Sequence, residues 1–218
     1  MVASFLIESA LLVYVLWRYK LTSLMRVIAS ALILLASFQL AEYYVCGGMG
    51  VSAAMWSRVG FVAITFLPPL GIHLAHLLAK KPERLLVYAA YATCVAWILV
   101  FCSGEWALHG HVCAGNYVIF QLRPSLTPLY ALYYYGWLFG GVWLALSFAR
   151  TAPKKARAAL AAMILGYFVF LVPTATVNML NPKTISGIPS IMCGFAVFFA
   201  LILVFRIAPL ATSRHDLR

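Results

Sequence analysis

The sequence predicts a bundle of seven transmembrane helices, on three grounds: composition, the length of the apolar runs and the placement of the charges. Of the 218 residues, 65% are hydrophobic and only 10% are charged. A soluble domain is about half apolar and about a quarter charged. A soluble fold of this size cannot hide that much apolar surface from water, so the solvent for most of the chain is lipid. Lipid admits helices or closed barrels, and these runs lack the two-residue alternation of barrel strands.

A span needs about 20 residues. Seven segments qualify: about Val2–Trp17, Leu24–Cys46, Met55–Ala79, Leu85–Cys102, Leu126–Ala149, Ala156–Leu180 and Ile188–Ile207. The first is short and has no basic stretch before it, so it reads as a retained helix and not a cleaved leader. The third carries Pro68 and Pro69 in its interior, and the sixth carries Pro173. Each proline removes an amide donor and can bend its helix, which makes these positions candidate hinges. The fifth is rich in aromatic residues: Tyr130, Tyr133, Tyr134, Tyr135, Trp137, Phe139 and Trp143. Such side chains line ligand sites or form the interfacial belt. Gly136 and Gly140 in the same helix have the spacing for close helix contact, inside the bundle or in a homodimer. The longest connection, about Ser103 to Ser125, is read as an outer loop. Long loops often carry function. Residues 211–218 are read as a short cytoplasmic tail, too short for a folded output domain.

The charges set the expected orientation. Thirteen of the sixteen Lys and Arg residues fall on one side of this pattern. They are Arg18, Lys20 and Arg26, then Lys80, Lys81 and Arg84, then Arg150, Lys154, Lys155 and Arg157, then Arg206, Arg214 and Arg218. Arg58, Arg123 and Lys183 fall on the other. The positive-inside rule makes the first set cytoplasmic, with the amino terminus outside and the carboxy terminus inside. An even number of helices would break the alternation. The net charge of +11 therefore belongs to membrane topology, and nucleic acid is not an expected partner.

The order of features resembles a known family. Trp56 and Arg58 open the third helix, and Phe66-Leu67-Pro68-Pro69-Leu70 lies in its middle. The sixth carries Leu171-Val172-Pro173. The seventh begins Ile188-Pro189-Ser190-Ile191 and runs through Ala196 and Ala200 to a basic end. This pattern, over about residues 3 to 210, is similar to the N-terminal seven-helix sensor region of bacterial histidine kinases. The resemblance implies a sensor in a bacterial inner membrane that drives a cytoplasmic output. Kinase, cyclase and PAS-like segments are absent, so it implies either a truncated sensor or a standalone member that signals through a partner.

Ionisable groups inside a membrane are the first candidates for function. Glu8 lies in the first helix and Glu42 near the outer end of the second. Gln39, Glu42 and Tyr43 share a helix face, and Arg58 begins the next helix at the same depth. One reading is a structural Glu42–Arg58 pair. The other is an outer-leaflet pocket built from Glu8, Gln39, Glu42, Tyr43 and Arg58, with Tyr134 from the fifth helix. His73 and His76 lie one turn apart on the third helix, without the facing histidines that heme ligation needs. His109, His111 and Cys113 form a denser outer group that is a weak candidate for copper or zinc. Cys46, Cys102 and Cys113 all fall on the outer, oxidising side, so Cys46–Cys113 and Cys102–Cys113 are both open as disulfides. Cys94 and Cys193 read as packing residues. The seventh helix has no lysine for a retinal Schiff base.

The leading expectation is a receptor-like module. It binds a small or lipophilic ligand in the outer half of the bundle and passes a helix shift to a cytoplasmic partner. The alternatives are a small cation- or proton-coupled transporter using Glu8 and Glu42, and a membrane metal or heme redox protein. No cofactor is expected. The orientation is open to a direct check. A Lys81→Cys variant should resist an impermeant maleimide added to intact cells and react once the cells are permeabilised; labelling before permeabilisation would reverse the topology.

Overall fold

Each long apolar run folds as a helix, and a β-hairpin interrupts the series. The structure is a computed structural model that describes residues 1–47, 52–81, 84–103, 106–114 and 117–212. Of Arg84, His109, Lys183, Ile185 and Ser186 it describes the backbone alone. In chain order the elements are α1 (Val2–Arg18), α2 (Ser23–Gly47), α3 (Ala53–Ala79), α4 (Arg84–Cys102), β1 (Leu108–Ala114), β2 (Tyr117–Leu122), α5 (Thr127–Thr151), α6 (Lys154–Leu180) and α7 (Ile188–Ile202). A 3-10 turn, Pro182–Gly187, precedes α7. A π turn, Leu203–Ile207, follows it and leads into α8 (Ala208–Ala211).

Local chemistry sets the helix ends. The Ser52 hydroxyl caps α3 by accepting from the Met55 amide at 3.4 Å. At the other end Lys80 takes a left-handed conformation, φ 53°, and its amide returns to the Leu77 carbonyl. Arg18 and Arg150 occupy the last turns of α1 and α5, where the helix dipole favours a cation. Pro128 sits in the first turn of α5 and Pro189 in that of α7, where a missing amide donor leaves no gap.

Helix α3 is the most enclosed of the long apolar helices and α4 the least. α3 packs on α2, α4 and α5, while α6 packs on α5 and α7. Contacts of α7 with α1 and α2 close the bundle. The core is apolar, with Ile28, Leu32, Phe38, Ile72, Leu160, Met163 and Leu203 fully buried. The outer surface is apolar too: Val13, Trp17, Leu85, Leu132, Trp143 and Met179 are all exposed. In lipid such a surface carries no hydrophobic penalty.

Five helices are long and apolar enough to cross a membrane: α2, α3, the Leu85–Cys102 part of α4, α6 and the rod Ile188–Ala211. The chain is thus built as a multi-pass, predominantly helical membrane protein. α1 has 17 residues and falls short on length. α5 has the length, but its tyrosines and tryptophans dilute its apolar character.

Three features depart from the sequence-based expectation. First, the expectation of a wholly helical chain is corrected by an antiparallel hairpin inside the presumed outer loop. His111 faces Phe120, Cys113 faces Val118, and the register slips between Leu108 and Gly110. Second, the last helix contains a π turn, which inserts an extra residue per turn just before Pro209. Third, the close approach on α5 is at Gly141 and not at Gly136 or Gly140. A side chain at Gly141 would meet the Tyr167 hydroxyl at 2.9 Å, whereas a Cβ at Gly136 would meet nothing within 4 Å. Gly71 on α3 abuts the same hydroxyl, so Tyr167 of α6 wedges between α3 and α5. Most of the tail read as cytoplasmic, residues 213–218, lies outside the described residues.

A Cys46–Cys113 disulfide ties β1 to the end of α2, with a Cα–Cα separation of 5.8 Å. Cys102 is exposed with a free thiol, and Cys94 and Cys193 are buried with free thiols. The bridge closes a loop of 67 residues. Cys113→Ser should lower stability by about 2 kcal/mol, the low end for such a loop because α3 and α4 remain helical in the unfolded reference. Thermal melting in nanodiscs, with and without reductant, checks this: reductant should destabilise the native protein and leave the variant unchanged.

Candidate functional site

The hairpin roofs a cleft. Val118 and Phe120 are buried beneath β2. The Phe120 ring meets Phe38 of α2 at 5.7 Å and Phe61 of α3 at 5.8 Å between centroids. The Val118 amide donates to the Ser190 hydroxyl at 3.1 Å, which joins the roof to the first turn of α7. Between roof, α3, α5 and α7 lies a cavity of about 780 Å³. Its walls include Phe61, Ile64, Tyr130, Tyr134, Pro189 and Met192. Ligand sites for small molecules fall in the range of about 300–1,000 Å³, with mostly apolar walls and a few polar groups. A second, smaller cavity of about 50 Å³ lies deeper among α2, α3, α5, α6 and α7. Tyr134 and Met192 line both.

The inner wall of the cleft is stiffened by a web of rings. Phe61 and Phe101 are 5.0 Å apart, Trp97 and Tyr130 5.2 Å, and Phe101 and Tyr130 5.4 Å. Below it sits a polar stitch that follows from Pro69. A proline cannot donate to the carbonyl four residues back, so Pro69 frees the carbonyl of Thr65. The Tyr133 hydroxyl of α5 donates to that oxygen at 2.8 Å, and the Cys94 thiol of α4 approaches it at 3.6 Å. The Thr65 hydroxyl contacts the Tyr130 hydroxyl at 2.9 Å and donates to the Phe61 carbonyl at 2.6 Å. The proline site of α3 is therefore bound from two neighbouring helices.

A polar cluster lies on the other side of α7. Glu8, Gln39 and Glu42 are at most 1% exposed, and Ser190 is 4% exposed. Ser190 of α7 lies within reach of the Glu42 carboxylate. Glu42 acts electrostatically on the Glu8 carboxyl, and both acids act on the Cys193 thiol. Both carboxylate oxygens of Glu8, Oε1 of Glu42 and Nε2 of Gln39 are buried without a hydrogen-bond partner.

Glu8, Gln39 and Glu42 of the expected outer pocket are all buried. Tyr43 lies apart from them, 38% exposed, with its ring against Tyr44. Arg58 is half-buried at the start of α3. Tyr134 sits at the junction of the two cavities and not among the carboxylates. In the outer group weighed as a metal site, Cys113 is consumed by the disulfide and the His109 side chain lies outside the described residues. Among the described residues no group of three His, Cys, Asp or Glu is placed to hold a metal ion. His73 Nδ1 and the Tyr91 hydroxyl are 3.2 Å apart, and His76 Nδ1–H donates to the Ile72 carbonyl at 3.0 Å. His76 is buried, with Nε2 unpartnered, and His73 is half-buried.

Residues missed from sequence are Phe61, Ile64 and Met192 in the cleft, and Ser190 and Cys193 near the carboxylates. The hairpin itself had a signal: Ala114-Gly115-Asn116-Tyr117 before a run of β-branched and aromatic residues. No family model, curated protein or solved structure matches this chain.

The stitch at Thr65 carries a test. Tyr133→Phe removes the donor and nothing else, so it should cost about 1 kcal/mol, the usual size of a side-chain hydrogen bond between helices in a membrane. Thr65→Ala should leave the Tyr133 bond intact. An unchanged melting temperature for Tyr133→Phe would show that the freed carbonyl needs no neighbour.

Proposed function

We propose that this protein is a seven-span membrane receptor that binds a small lipophilic ligand in the cleft beneath the hairpin. The observation that carries this reading is the 780 Å³ cavity, apolar-walled, roofed by a disulfide-anchored hairpin and edged by Tyr130, Tyr134, Tyr135 and Gln121. An apolar ligand suits a site that an apolar solvent surrounds. Hydroxyl and amide groups at its edge would orient a single polar head.

The seven-span topology has support from geometry. The end of α2, the start of α3, the hairpin, the 3-10 turn and the start of α7 all gather at one end of the bundle. α1 and α5 must then cross to keep the connections alternating. The disulfide fits the oxidising side of a plasma membrane, and the basic loops fit the cytoplasmic side. The resemblance to sensor regions of histidine kinases belongs to this reading. So does its implication that the output passes to a cytoplasmic partner through the loops at Lys80-Lys81 and Lys154-Lys155.

Ligand binding would act through α7. One face of its first turns lines the cleft with Pro189 and Met192, and Ser190 holds the roof. Four turns on, the same rod carries the π turn and Arg206. A ligand shifts such a rod only by binding one of its positions more tightly than another.

A diazirine-bearing fatty acyl probe tests the site. In nanodiscs it should label residues of α5, α7 and β2, and Ala131→Trp or Met192→Trp should cut that labelling several-fold while the protein still melts cooperatively. Labelling spread evenly over the exposed face of α4, and unchanged in both variants, would remove the cleft as a binding site.

A further inference from the structure

The smaller cavity beneath the cleft is long for its volume. Its walls on α7 are Met192, Cys193, Ala196, Phe199 and Leu203. Met192, Ala196, Phe199 and Leu203 follow at spacings of four, three and four, which is one face of a helix. From Met192 to Leu203 that stripe runs about 16 Å. A cavity of about 50 Å³ along such a wall is a narrow slot, with room for roughly three to five groups the size of water. The rings of Tyr167, Phe170 and Phe199, with centroids 5.5 and 5.7 Å apart, form one side of it. The Tyr167 hydroxyl is wedged against Gly71 and Gly141, and most of the remaining wall is hydrocarbon. An apolar slot stays dry, so water is not its occupant.

We propose that the ligand of the cleft is a single-chain amphiphile whose straight alkyl tail passes between Tyr134 and Met192 into this slot, with its head left beneath the hairpin. The inference rests on the cleft being the ligand site. Tyr134 and Met192 line both cavities and are 7% and 3% exposed, so side chains stand between the two spaces. They come from different helices, and a change of rotamer parts them without moving either backbone. Met192, unbranched with three rotatable bonds, yields most readily. The small volume spread over the length of the slot fits a methylene chain; a fused ring system needs a wider bore. Polarity orders the two ends. Gln121, Thr127 and Tyr135 edge the cleft, whereas the lining of the slot has no amide or charged side chain. A polar head therefore stays in the cleft and the tail goes in.

The far end of the slot gives tail length a meaning. Leu203 lines it and is the first residue of the π turn. Such turns inside helices recur at functional sites. A ligand that fills both spaces touches α7 at Pro189 under the roof and at Leu203 beside the turn. A shorter tail leaves Leu203 untouched, and a longer one collides with it. The slot thus works as a ruler for chain length.

A homologous series of straight-chain fatty acids, each with a diazirine on its terminal carbon, tests the proposal. The probes are added to the protein in nanodiscs at one fixed mole fraction of lipid, and mass spectrometry locates the crosslinks. Short probes should label the cleft, at Ile119 or Leu122, and longer ones the slot, at Leu35, Leu138 or Leu203. Slot labelling should fall several-fold beyond an optimum length. Ala196→Phe narrows the slot and should return the label of the longer probes to the cleft. Leu203→Ala deepens it and should shift the optimum to longer tails, a gain that a misfolded protein does not give. Phospholipids with the same diazirine on one tail should label the slot several-fold less than the free acids. Equal labelling would assign the slot to a bilayer lipid and overturn the single-chain ligand. If free acids of every length label the cleft and none the slot, the slot is overturned and the cleft stands. The same holds if slot labelling ignores tail length in wild type and in Leu203→Ala. If no probe labels the cleft, both sites fall.

Discussion

In an apolar solvent every backbone polar group must find its partner inside the protein. Here that constraint bears hardest on the middle of α3, the most enclosed helix, where Pro69 deprives the Thr65 carbonyl of its donor. The donors come from outside the helix, as the Tyr133 hydroxyl and the Cys94 thiol. This exchange fixes where α4 and α5 sit against α3. It also places Tyr130 and Tyr134, on the following side of the same α5 surface, at the back of the cleft. A defect in one helix thus becomes the reference point for three.

The hairpin end of the bundle solves a different problem. A loop that lay loosely over the bundle would leave the cleft open to water. Three attachments hold the hairpin down: the disulfide to α2, the Phe120 ring between Phe38 and Phe61, and the Val118 amide on Ser190. Together they tie the roof to α2, α3 and α7.

How much of this was legible varied with the range of the interaction. Helices such as α2, α3 and α6 could be read from composition, because crossing lipid demands a long apolar run whatever the neighbours do. The burial of Ser190 did not follow, because depth along a helix says nothing about which side of it a distant helix such as α7 covers. The orphaned Thr65 carbonyl is implicit in the position of Pro69, four residues on; the identity of its donors, residues 68 and 29 positions away, is set by packing alone. The hairpin went unread for a related reason. Its strands are short, and the turn signal at Gly115-Asn116 is weak beside the long apolar runs around it.

The covalent bond between Cys46 and Cys113 also divides the chain into a ring and two tails. The ring contains all of α3 and α4, and the tails carry α1 with most of α2, and α5 through α8. The thiols can meet only after two further helices have been made and the chain has come back to the end of α2. Closure is thus a late event in biogenesis that records whether α3 and α4 were inserted as a complete pair. A chain that misplaced either one would carry its two sulfurs on opposite faces of the bilayer, where no oxidant could join them.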